Sequence, residues 1–181
     1  MKLLRIILYI GLFGLTTLAQ AQTIIPLERG KGGVRAKNID DYKDEMKMAE
    51  RQRNDSLQYV DHLRRAFNAL HTDSIGQAEL LFNKALKLRP TAPGNHVIKF
   101  NLGLIDMARG QNVEAVKKLT DIIKEYPNYF DARLARAEAN LQLNKANEAV
   151  EDAEQVLNKT DFEGVTPLLI ERARFIRAAA L

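Results

Sequence analysis

Residues 101–127 read NLGLIDMARGQNVEAVKKLTDIIKEYP. Gly103 is a small residue at a point where a helix backbone can approach another closely. Arg109-Gly110-Gln111-Asn112 supplies a Gly stop and an Asn cap, so one helix ends and a second begins there. Ala115, Leu119 and Ile122 mark the inner face of the second helix. Pro127 ends it, because Pro lacks the N–H and its ring clashes with the preceding turn. The stretch is therefore one helix–turn–helix unit.

The unit recurs on both sides. Ala78, Phe82, Ala85 and Pro90 map onto Ala115, Leu119, Ile122 and Pro127 by a constant shift of 37 in number. Ala149, Ala153 and Val156 continue the first three of these by a further shift of 34. A second landmark gives the same two shifts, since Ala66, Gly103 and Ala137 are also 37 and 34 apart. Such a period marks a stack of small supersecondary units. Upstream, Leu57, Val60, Leu63, Phe67 and Leu70 recur every third or fourth position, one face of a helix. Ser74 with Gln77 is a capping-box pattern at the start of the next helix. Leu143-Asn144-Lys145 repeats the turn with Asn in place of Gly.

These residues resemble the tetratricopeptide repeat, a 34-residue helix pair. Asn101-Leu102-Gly103, Gly110, Ala115 and Pro127 fall on that family's Asn-Leu-Gly, Gly, Ala and Pro positions. His62 and Arg65 depart from it, as does Asp161 where Pro is the rule. The resemblance implies an all-α fold, an α-solenoid of antiparallel helix pairs. The expected organisation is a signal peptide at 1–21, a flexible linker at 22–38 and an N-terminal capping helix at 39–58. Three repeats follow at about 59–95, 96–129 and 130–165, and a C-terminal helix at 166–181 forms a partial fourth. Thr166-Pro167 is a cap followed by Pro at the first helical position, and Arg172-Ala173 echoes Arg136-Ala137. The terminal run Ala178-Ala179-Ala180-Leu181 is apolar, which suits either a contact with a partner or a shortened version of a longer repeat array.

The leading segment reads as an address. Lys2 and Arg5 precede an uncharged apolar run at 6–18, and Ala19-Gln20-Ala21 follows. That is the layout of a signal peptide cleaved after Ala21, and so brief a run falls short of the roughly 20 residues a membrane span requires. The chain has no Cys, so no lipoprotein anchor, disulfide or thiolate is available. The expected location is periplasmic or secreted, with no membrane span after cleavage. Beyond residue 21 the chain carries 25 Lys and Arg against 23 Asp and Glu, nearly neutral, and no basic stripe, so nucleic acid is not an expected partner. Gly30-Lys31-Gly32-Gly33 lacks the spacing and context of a phosphate loop.

No catalytic, metal or cofactor site is expected. Paired carboxylates such as Asp40-Asp41 and Glu151-Asp152 lie among Lys and Arg on solvated faces. His62, His71 and His96 show no ligand spacing. Asn54-Asp55-Ser56 and Asn158-Lys159-Thr160 match the N-glycosylation sequon. Asp55-Ser56-Leu57 and Asp73-Ser74-Ile75 resemble a short O-glycosylation signal.

The resemblance instead implies a binding groove lined by the first helix of each repeat. By register its residues are Val60, Leu63, Phe67 and Leu70, then Val97, Phe100, Asn101, Leu104 and Met107, then Leu134, Glu138 and Leu141. So apolar a groove suits an amphipathic helix or an extended peptide of a protein partner. The competing expectation is that residues 40–54 of the same chain fill it. A Lys and Asn clamp for a peptide carboxylate, known in the family, is matched only at Asn101; Leu63, Phe67, Asp131 and Ala135 occupy the other positions. The implied function is a non-catalytic interaction scaffold, the alternative an accessory subunit of an exported enzyme or envelope assembly complex.

Overall fold

The computed structural model describes residues 39–181. The expected signal peptide and linker lie outside the described residues. Seven α-helices and no strand occur among them: α1 Ile39–His71, α2 Ile75–Leu88, α3 Asn95–Ala108, α4 Asn112–Glu125, α5 Phe130–Gln142, α6 Ala146–Leu157 and α7 Pro167–Ala180. The chain divides into two compact units, one ending at Pro90 and one running from Thr91 to Leu181.

In the first unit α1 packs against α2. Ala66 on α1 and Ala78, Phe82 and Ala85 on α2 are fully buried. Phe67 meets Phe82 edge to face, with centroids 5.3 Å apart. The expected capping helix and the first helix of the first repeat are one continuous element, α1. Every position from 39 to 54 is exposed. This segment therefore fills no groove; it extends α1 outward.

In the second unit each helix packs on the next, α5 also packs on α7, and α3 touches α5. Ala115, Leu119, Ala149, Ala153 and Val156 are fully buried. Their spacing arises because the first helix of each pair meets the second through one small residue. A Cβ built on Gly103 would lie 3.3 Å from Cγ of Leu119. Phe130, Leu134 and Ala137 of α5 form one cluster with Ala149, Ala153 and Val156 of α6 and Leu169, Ala173 and Ile176 of α7.

The three turns inside the pairs share one geometry. Asp73, Gly110 and Asn144 have φ of 57°, 76° and 58°. They follow the same two shifts as the small residues, 37 and then 34. At each, the left-handed residue donates its N–H three positions back and the next residue donates five back. The longer bonds are Ser74 N to Ala69 O (2.8 Å), Gln111 N to Asp106 O (2.8 Å) and Lys145 N to Asn140 O (2.9 Å). This is the Schellman ending of a helix. The second helix then starts at once, and Ala78, Ala115 and Ala149 donate to the carbonyls of Ser74, Gln111 and Lys145.

Two sequence expectations fail here. Ser74 makes no side-chain cap, so the capping box with Gln77 is not formed; its hydroxyl bonds with Thr72 instead. Asn112 is the first residue of α4 and Gln111 precedes it as N-cap, again without a side-chain bond. The backbone bonds of the Schellman turn carry the chain into the next helix without side-chain help. Thr166 does cap as expected: its Oγ1 accepts from Leu169 N at 3.3 Å, with Pro167 at the first position.

Buried charges tie the pairs together. Asp106 of α3 is held by Lys118 of α4. Arg136 of α5 grips Asp152 of α6 with two bonds of 2.7 Å and donates to Thr120 of α4 at 3.0 Å. Such a forked pair is among the stronger polar contacts a protein makes.

Gly103→Leu should lower stability by about 2 kcal/mol or more, because extra atoms must displace a fully buried Leu119. Gly103→Ala should cost far less. Urea denaturation of the two variants checks this, and equal midpoints would mean the α3–α4 contact lies elsewhere. Removing residues 167–181 strips Leu169 and Ile176 from the α5–α6 cluster. The expected loss is about 3 kcal/mol, the value of burying two aliphatic side chains. Amide exchange in α5 and α6 reads it, and unchanged protection would refute it.

Candidate functional site

Each unit has a face lined by the first helices of its own pairs. In the first unit, Val60, Leu63, Phe67 and Leu70 are all half-buried along α1. They share one side of that helix by their spacing of three and four positions.

In the second unit the face is built from α3, α5 and α7. Val97, Leu104 and Met107 of α3 and Leu141 of α5 are half-buried. Phe100 is not on the surface as expected. It is buried and packs on the Tyr129 ring at 5.2 Å. Asn101 is buried too, and its side-chain amide donates to Val97 O at 2.8 Å, so it is occupied within its own helix. Leu134 is fully buried in the core because α7 lies over it and adds Leu169, Ala173 and Ile176 to the same cluster. These three are core residues and offer nothing to a partner.

Glu138 does sit on the face, and it is engaged. Arg172 of α7 donates to Glu138 at 2.9 Å and lies 3.5 Å from Asp131, both on α5. The sequence reading missed this network. Its members are far apart along the chain, and the only signal was the recurrence of Arg-Ala at 136 and 172. Burial raises the Asp131 carboxyl above the usual carboxylate range, and Arg172 pulls partly the other way. Burial, reinforced by the charge of Asp131, also raises the Tyr129 phenol.

On α7, Leu168 and Phe175 flank Arg172, one turn to either side, and are 60% and 74% exposed. The face thus ends in two uncovered apolar side chains around a fixed cation. At the start of α3, His96 stacks on Tyr126 at 4.3 Å and meets Tyr129 at 5.6 Å. In the first unit, His62 keeps a buried Nδ1 without a hydrogen-bond partner. Among the described residues no group of three His, Asp or Glu could hold a metal, and no helix is long and apolar enough to cross a membrane.

The raised carboxyl gives a signed pH effect. A carboxyl whose pKa rises on folding adds stability below its unfolded pKa and loses that contribution as pH climbs through its folded value. Asp131→Asn lacks the titration. The melting temperature of Asp131→Asn relative to the parent should therefore be higher near pH 7 than near pH 3. A pH-independent difference would show that Arg172 fully offsets the burial.

No protein-family model matches this sequence, and no curated protein does. Among solved structures, the crystal structure of a tetratricopeptide repeat protein from Parabacteroides merdae aligns with a TM-score of 0.60. The identity is 18%, over 68% of this chain and 46% of that one, so this chain spans under half the length of its structural neighbour. That likeness concerns the fold. With three consecutive antiparallel helix pairs, one left-handed turn inside each, and a seventh helix after them among the described residues, the chain has the fold of a tetratricopeptide-type helical repeat protein.

Proposed function

We propose that this chain is a non-catalytic interaction scaffold, exported to the periplasm or beyond, that holds a peptide or helix of a partner protein on the α3–α5–α7 face. One observation carries the reading. The face keeps Leu168 and Phe175 exposed and Leu104, Met107 and Leu141 half-buried, around an Arg172 already fixed by Glu138 and Asp131. Large apolar side chains grouped on one face are a common mark of a contact surface. A fixed charge among them gives direction to a bound segment without the cost of ordering a free one. The export reading rests on the basic, apolar and small-residue sequence of residues 1–21.

The test is capture from the periplasmic or secreted fraction by the parent and by Met107→Glu/Phe175→Glu. Both substituted side chains lie outside the core, so helicity by circular dichroism should not change. The parent should retain a partner and the variant should lose at least nine-tenths of it, since buried charges at two apolar contacts cost about 1.4 kcal/mol or more together. Capture unaffected by the substitutions would sink the assignment of this face.

A further inference from the structure

The exposed half of α1 has a pattern that its own unit does not use. α1 has 33 residues and α2 only 14, so α2 can cover less than half of it. Over the uncovered part, Ile39, Tyr42, Met46 and Ala49 recur at alternating spacings of three and four positions. Ile39 is 71% exposed and Met46 73%. The same register passes through Arg53 and Ser56 and turns apolar again at Val60, Leu63, Phe67 and Leu70. A straight helix has 3.6 residues per turn and drifts out of a strict sevenfold stripe; two helices wound about each other hold it. A solvated helical segment of about 15 residues is marginal by itself.

We propose that residues 39–56 of α1 form an antiparallel coiled coil with the same segment of a second copy of this chain. The charges beside the stripe select both the partner and the direction. In a parallel, in-register pair, Glu45 would face Glu50 of the second copy and Arg53 would face Arg53 in the seam, like against like at each place. In an antiparallel pair centred between residues 47 and 48, Lys43 faces Glu50 of the second copy, and Glu50 faces its Lys43. Met46 then packs on Ala49, and Arg53 lies over the ring of Tyr42, a cation–π contact. Sliding the antiparallel pair one heptad toward the N-terminus would oppose Lys43 to Lys43 and Glu45 to Glu45; one heptad the other way would oppose Glu50 to Glu50. Charges flanking the seam set partner and orientation in coiled coils. Lys43 is available for this exchange, because its present contact with Asp40 is an exposed one at 3.5 Å.

The experiment is sedimentation of the purified chain over a concentration series, in the form the producing cell makes. A reversible dimer is expected. Lys43→Glu should raise its dissociation constant about tenfold, because two attractive pairs become repulsive. Lys43→Glu/Glu50→Lys should restore it. The chain has no Cys, so introduced ones report direction cleanly. Under mild oxidation a mixture of Ile39→Cys and Ser56→Cys proteins should form a cross-linked heterodimer, and Ile39→Cys alone should not. All these positions are exposed or half-buried, and circular dichroism should show unchanged helicity. A chain that stays monomeric throughout, as it would if the stripe served a helix from another protein, overturns the proposal. So does a dimer indifferent to Lys43→Glu, or one that Ile39→Cys alone can cross-link.

Discussion

The close approach of two helices at one small residue per pair governs the rest of this molecule. Gly103 lies against Leu119 so closely that even a methyl group would press on it. Ala66 and Ala137 hold the equivalent places and are fully buried. Each pair is joined by a short turn with a single left-handed residue. That turn consumes its own backbone donors and needs little from side chains. Asp73, Gly110 and Asn144 can therefore differ chemically while the geometry stays the same. In the second unit the row of first helices follows from this, and with it the face that carries Met107, Leu168 and Phe175.

The parts of this fold that were legible in the sequence are those set by local sterics. Ala, Gly and Pro at fixed offsets report backbone approach and helix ends directly, so the pairs, their order and the terminal helix were readable from residues 59–181. Thr166-Pro167 could be read because both residues act within one turn of each other. Ser74 misled because its local pattern suggested a capping box, whereas the turn is closed by backbone bonds that any residue tolerant of positive φ can make. Asp73 gave no sign of that tolerance beyond being Asp.

The candidate face was less legible, for a different reason. Register alone places a residue on one side of a helix, and Val97, Leu104, Met107 and Leu141 are half-buried there. It does not say what lies above that side. Leu134 occupies a facing position in α5 and is nevertheless sealed by α7. Phe100 turned inward to Tyr129, which belongs to the connection leading into α5. Glu138 was assigned to the face without its partner, because Arg172 reaches it from another helix pair. Long-range packing decides these cases, and the repeat period carries no information about it.

Lys118 and Asp152 occupy equivalent places in successive repeats, yet bear opposite charges. Each is matched to a buried or half-buried partner of its own pair, Asp106 and Arg136 respectively. If α3 paired with α6, Asp106 would lie buried beside Asp152. If α5 took α4 as its second helix, Arg136 would meet Lys118. Repeats as alike as these invite helices to exchange partners, within one chain or between two. The swapped charges act as a lock and key for each pair, so a wrong pairing is penalised during folding even where its apolar residues would fit.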